Sequence, residues 1–205
     1  MYARLNFVDV KPERFVDMDP FWAQTVAGYQ DILVRGWFLR LGQSPTTLSL
    51  VLFTDAGAAR TNSAQHLGPI AARASAMRLT DPVVTYSQVL AEDAAASGPP
   101  QSRALRAVIR SSHVAADRLE GEVAHWRAAA DERRADAGFA GAMLLCDDEK
   151  NTLRSVCFYG DESHADDSSL AAGEFDAGES TAVAWQVRVD VGEGWPAPFA
   201  TGTSG

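Results

Sequence analysis

The chain has 205 residues, 46% of them hydrophobic and 22% charged, with a formal net charge of −9. This length allows one large or two small domains, and the apolar share is enough for a real core, which excludes wholesale disorder. The acidic balance speaks against a nucleic-acid partner, because phosphate contacts need a surplus of Lys and Arg on one face.

No apolar run approaches the ~20 residues needed to span a bilayer, so no membrane partner is expected. The N-terminus starts directly in a strand pattern, without a basic or apolar leader. A cytoplasmic setting is therefore expected, with Cys146 and Cys157 as free thiols. A disulfide across a hairpin stays open on sequence grounds. Arg103, Arg106 and Arg110, like Arg127, Arg133 and Arg134, read as solvated helix and strand edges.

Taken in chain order, Tyr2–Val8 alternates with period two. Ala3, Leu5 and Phe7 fall on one face, and Tyr2, Arg4, Asn6 and Val8 on the other. Asp19-Pro20 reads as a helix start, with Asp as cap and Pro in the first turn. Trp22, Val26, Tyr29 and Leu33 then form one helical face, and Gly36 reads as its stop. Trp37–Leu41 and Leu48–Phe53 read as a strand pair joined by the turn 42–45. Residues 55–79 read as mostly helical, broken or kinked at Gly68-Pro69, and Val83–Leu90 as a strand.

The order then recurs. Leu105–Ile109 reads as a strand, and Asp117-x-x-Glu120 as a capping box before the face Leu119, Val123, Trp126 and Ala130. Asp136-Ala137-Gly138 reads as the helix end and Phe139 as the start of a strand. Asp147–Asn151 reads as a hairpin turn, Leu153–Tyr159 as a strand, Asp161–Phe175 as a weak helix and Ala182–Val191 as the last strand. Arg4 and Arg106 differ by 102, as do Gly36 and Gly138, while Phe53 and Phe158 differ by 105, a change assigned to a longer second hairpin. A period near a hundred residues means a duplicated domain, since solenoid units run ~20–50.

Strand, helix, strand, strand, helix, strand is the split β-α-β, or ferredoxin-like, arrangement, a four-stranded antiparallel sheet with both helices on one face. Residues 1–92 form the first repeat, 93–103 a linker, 104–191 the second repeat and 192–205 a Gly/Pro-rich tail. The bare sheet faces, with Leu48, Leu50 and Leu52 or Val183, Trp185 and Val187, would expose too much apolar surface alone. The two sheets are expected to cover each other, giving an α+β barrel that imitates a dimer within one chain. A monomer follows as the simplest oligomeric state.

Ala137–Asp147, with its glycine-aromatic-glycine start, and Leu153–Tyr159, with its aromatic end, resemble the antibiotic-biosynthesis-monooxygenase-like family of dimeric α+β barrels. Gly36–Arg40 with Leu48–Phe53 is similar in a degenerate form. The resemblance implies one of several activities: cofactor-independent oxygenation of phenols, haem degradation or quinol handling. For the haem-degrading branch Asn6 can stand for the first-strand Asn. Phe53 and Thr54 fill the place of its Trp, and His66 lies past the place of its axial His. In the second repeat Val108 or Ile109 stands where that Asn would be.

The oxygenase branch implies no bound cofactor, with molecular oxygen as co-substrate and a small aromatic molecule as partner. Asn6, Trp37, His66 and Tyr86 are the candidate catalytic residues, and Trp22, Tyr29, Arg40 and Phe53 the candidate substrate-binding ones. Such a pocket needs aromatic walls and Trp, Asn or Arg donors for developing negative charge. Each also has a packing reading, weakest for Asn6, whose amide in a strand buried on both faces needs a hydrogen-bond partner. The alternative function is a non-catalytic binding or stress-response module with the same barrel. No metal spacing, nucleophile elbow or nucleotide-binding glycine motif occurs. If one pocket is retained, the first repeat is the better candidate, since its polar set is fuller.

Overall fold

The structure, a computed structural model, describes residues 1–27, 33–94, 106–135, 138–147, 149–160 and 180–192. The strands are β1 Tyr2–Asp9, β2 Leu33–Arg40, β3 Thr46–Phe53, β4 Val83–Ala94, β5 Arg106–His113, β6 Phe139–Asp147, β7 Thr152–Tyr159 and β8 Ser180–Gly192. The helices are α1 Phe15–Ala27, α2 Ala56–Ala74, α3 Leu119–Ala128 and α4 Ala130–Ala135. The strands are hydrogen-bonded in the order β1-β3-β2-β8-β5-β7-β6-β4 and the ladder closes on itself as a barrel. The α+β class and the ferredoxin-like order of the first repeat stand as expected. In the second repeat the stretch Asp161–Phe175 lies outside the described residues, as do most of the linker and the tail.

The chain divides into two compact units, the first Met1–Ser87 with Val187–Gly194 and the second including Gln88–Gln186. In unit 1, β3 is flanked by antiparallel β1 and β2. Alternation along β1 works as the sequence indicates. Ala3 and Leu5 are fully buried on one face, which Leu48, Leu50, Trp37 and Leu39 share. Tyr2, Val51, Phe53 and Phe38 lie on the other face, in a core cluster with Met18 and Trp22 of α1 and Ala59 and Ala74 of α2. In unit 2, Val114, Phe139, Ala142, Leu144, Leu153 and Tyr159 cluster with Trp126 of α3.

The duplication is real, but its register differs from the sequence landmarks. Tyr2 pairs with Phe53 as Arg106 pairs with Tyr159, and Leu33 pairs with Phe53 as Phe139 pairs with Tyr159. Each second strand shifts register at the same place, between Leu33 and Arg35 and between Phe139 and Gly141. The offset is thus 104 along the first strand and helix start and 106 along the hairpin. The two extra residues lie between first helix and second strand, and the hairpins are equally long. Gly36 and Gly138 are therefore not equivalent, and Phe53 corresponds to Tyr159 rather than Phe158.

Several local expectations are corrected. The helix α1 starts at Phe15, after a 3-10 turn at Pro12–Arg14, so Asp19-Pro20 is inside it. Asp19 accepts instead from Arg188 Nε and Nη2, at 3.1 and 2.9 Å. Pro20 and Pro69 both lie inside helices, on exposed positions where the carbonyl each leaves unbonded can meet water. Gly68-Pro69 therefore does not end α2. Gly36 lies within β2 opposite Val51, and Leu33 belongs to that strand rather than to the helical face.

Asp117 caps nothing: it sits in a 3-10 turn, and α3 follows with Arg118 at its N-cap position and no side-chain cap. Arg110 and Arg133 are buried rather than solvated. Arg133 pairs with buried Asp93 at 3.3 Å, and its guanidinium lies 3.9 Å from the Trp126 ring centroid. Cys146 and Cys157 are free thiols. Burial, with Asp147 beside it, pushes the Cys146 thiol above its ordinary value.

Candidate functional site: a cavity in the first unit

Three cross-strand neighbours form the floor of the site. Asn6 on β1 faces Ser49 on β3, and Ser49 faces Phe38 on β2. Because side chains alternate along strands, this row points to the face covered by the unit's own helices. Above it α1 contributes Met18, Phe21 and Trp22, and α2 contributes Leu67, Gly68, Ile70, Ala71 and Ala74. These residues, with Val8, Arg78, Pro82 and Val84, enclose a cavity of about 300 Å³.

Local sequence explains why space remains there. The α2 stretch over the cavity is Leu67-Gly68-Pro69-Ile70-Ala71, and a Cβ built on Gly68 would meet no atom within 4 Å. Asp55 anchors the start of this helix, its carboxylate accepting from the Ala58 N–H at 2.8 Å. Trp22 stacks on Phe38, with centroids 5.9 Å apart and planes at 28°, giving a flat aromatic wall.

The polar groups are few. Asn6 Oδ1 is buried with no hydrogen-bond partner among the described residues. An amide oxygen so placed costs about 1–3 kcal/mol unless a ligand or water satisfies it. Arg78 pairs with Asp81 at 2.8 Å. Among the described lining residues there is no carboxylate and no imidazole.

The candidate residues divide as follows. Asn6 and Trp22 line the cavity. Trp37, fully buried, lies on the opposite face of the sheet, one residue from Phe38, which does line it. Phe53 is buried in the core cluster with the Arg4 guanidinium 5.3 Å from its ring centroid. Arg40 lies over Phe15 at 4.4 Å, and its Nε donates to the Gly42 carbonyl at 3.1 Å. Tyr86 packs against the cluster with Arg60 at 5.7 Å. His66 is half-buried on α2 and is not part of the lining. Tyr29 lies outside the described residues.

Sequence reasoning missed Phe38, Ser49 and Arg78. The signal for Ser49 was available, as a lone hydroxyl within Leu48–Phe53, whereas choosing Phe38 over Trp37 needs the register shift in β2.

The corresponding place in unit 2 is built differently. Arg110, rather than Val108 or Ile109, takes the position of Asn6, opposite Ser155. Ser155 in turn faces Leu144. Trp126, 1% exposed, donates from its indole nitrogen to Ser155 Oγ at 2.9 Å. An indole is thus bonded to the serine that corresponds to a cavity-lining serine in unit 1.

No protein-family model matches the chain, and no curated protein does. Solved structures do match. A candidate monooxygenase from Fusobacterium nucleatum shares 11% identity at a TM-score of 0.69, with 95% of each chain covered. A candidate monooxygenase from Lactobacillus acidophilus shares 10% at 0.70, covering 95% of this chain and 97% of the other. An anthrone oxidase-like protein shares 13% at 0.66, covering 97% and 96%. The likeness is one of fold: nearly the whole chain follows the barrel of monooxygenase-like proteins, consistent with the antibiotic-biosynthesis-monooxygenase-like resemblance. Among the described residues no helix is long and apolar enough to cross a membrane, and no group of three or more His, Cys, Asp or Glu could hold a metal.

Proposed function

We propose that the unit 1 cavity binds a hydroxylated aromatic molecule and directs its oxygenation by molecular oxygen without a bound cofactor. The observation that carries this reading is the buried, unpartnered Asn6 Oδ1 in a mostly apolar, aromatic-walled space. Pockets of this kind hold ligands by apolar contact and orient them with a few polar groups, and about 300 Å³ lies at the small end of their range.

A ring stacked beside Trp22 and Phe38 would place its hydroxyl to donate to Asn6. The same amide, turned over, can donate to the anion once the proton has left. With no carboxylate or imidazole among the described lining residues, the proton is taken to pass to solvent or to be lost before binding. The electron-rich anion then reacts with oxygen: a C–O bond forms at a ring carbon, and the resulting hydroperoxide loses water to leave a quinone. One oxygen atom ends in the quinone and the other in water, whose hydrogens come from the substrate's C–H and O–H. The resemblance in fold to an anthrone oxidase-like protein supports testing polycyclic substrates. The closed order of the described strands, none of which is an edge, supports a working monomer.

The test supplies 2-naphthol and anthrone with dissolved oxygen and follows oxygen uptake and quinone absorbance together. One oxygen consumed per quinone, above the rate in buffer, supports the reading. Saturable binding without oxygen uptake would leave the binding-module alternative. No binding of either compound would end both.

A further inference from the structure

We infer that Arg78 determines specificity by anchoring a carboxylate, so that the ligand is a hydroxylated aromatic acid rather than a neutral phenol. This rests on the cavity reading above and narrows its substrate class.

Arg78 is the cationic group among the described lining residues, in a chain whose net charge is −9. Its backbone is held in place: its N–H donates to the Ala74 carbonyl at 3.1 Å, it bridges to Val10, and the next N–H, of Leu79, donates to the Asp9 carbonyl at 2.6 Å. Arg78 therefore sits at the end of β1, four residues beyond Asn6, or roughly 13 Å along the strand. A ligand held between these two lining residues would be about bicyclic in length, with a hydroxyl at Asn6 and an anion at Arg78. The intervening walls, formed by Val8, Phe21, Trp22 and Ala71, are apolar.

The guanidinium is available for this. Among the described residues Asp81 is its one partner, through Nη1, and the Asp81 carboxylate is 93% exposed. An ion pair with so exposed a partner contributes little and exchanges readily. A guanidinium has five donors in a planar fork matched to a carboxylate, so a ligand can pair with it bidentately beside or instead of Asp81. Half-burial against apolar walls strengthens that pair relative to one in open water.

The experiment compares 6-hydroxy-2-naphthoic acid, its methyl ester and 2-naphthol by titration calorimetry at neutral pH. The acid is expected to bind the wild-type protein at least about tenfold more tightly than the ester, as a charge-assisted pair warrants. Arg78→Gln should abolish that preference by weakening the acid relative to the ester and naphthol, and Arg78→Lys should retain part of it. Asp81→Asn, which removes the competing carboxylate, should tighten the acid alone by a few-fold. If ester and naphthol bind but the acid gains nothing, or if Arg78→Gln keeps the preference, the inference fails and the cavity reading survives. If none of the three binds, both fail.

Discussion

Ser49 and Ser155 occupy the same register position in their respective sheets, but only Ser155 accepts a bond from the tryptophan of the first helix, Trp126. Trp22, the counterpart, stacks on Phe38 beside open space. Ser155→Ala would strand a buried indole N–H and is expected to cost about 1–3 kcal/mol in urea unfolding. Ser49→Ala should stay within roughly 0.5 kcal/mol, as substitutions that break no buried bond do. Equal effects would mean the two positions are used alike.

Asn6 should show the opposing demands of function and stability. Asn6→Leu removes a buried oxygen without a partner, so thermal stability should hold or rise, by about 1 kcal/mol or less, while 2-naphthol affinity falls roughly 2–10-fold. A destabilised variant with unchanged affinity would make Asn6 a packing residue.

Asp93 is the hub of unit 2's buried charge. It accepts from Arg133 at 3.3 Å and from Arg134 Nε at 2.7 Å. Arg133 is 3% exposed, so Asp93→Asn would leave a sealed guanidinium without its counter-charge, an expected loss of about 3–5 kcal/mol. Arg134→Ala, at a 39% exposed side chain, should cost less than about 1 kcal/mol. Chemical denaturation of both variants separates the two cases.

Asp55 makes the stability of α2 depend on pH. The Ala58 N–H, and then the Thr54 hydroxyl, hold its carboxyl below the usual carboxylate value. A depressed folded-state value means the contribution is present above the unfolded value of about 3.9 and is lost as pH falls through the folded one. Asp55→Asn keeps a cap but not the charge, so its Tm deficit should be present at pH 6 and vanish toward pH 2. Asp55→Ala should keep a deficit at both.

The strand pattern of unit 1 was legible because alternation is a local property. Leu5 and Leu50 are fully buried on one face, while Asn6 lies on the other and lines the cavity. The repeat was legible as an order of elements but not as a register, since two extra residues before β2 displace every later landmark. Helix starts misled for a related reason: Asp19-Pro20 carries a start signal, yet a tertiary partner, Arg188, claims the aspartate. Of the candidate site, Asn6 and Trp22 could be found by residue type and periodicity. Arg78 could not, because its place at the cavity depends on backbone contacts to Asp9 and Val10, distant in sequence.

The stack of Trp22 on Phe38 also has an optical consequence. Of the four tryptophans among the described residues, only Trp22 lines the cavity, while Trp37, Trp126 and Trp185 are buried away from its lining. A ring that settles beside Trp22 changes the surroundings of that fluorophore, while the other three described tryptophans are not among the lining residues. The emission lost in a Trp22→Phe variant is then the part that senses a ligand, and the protein carries its own occupancy gauge without any added label.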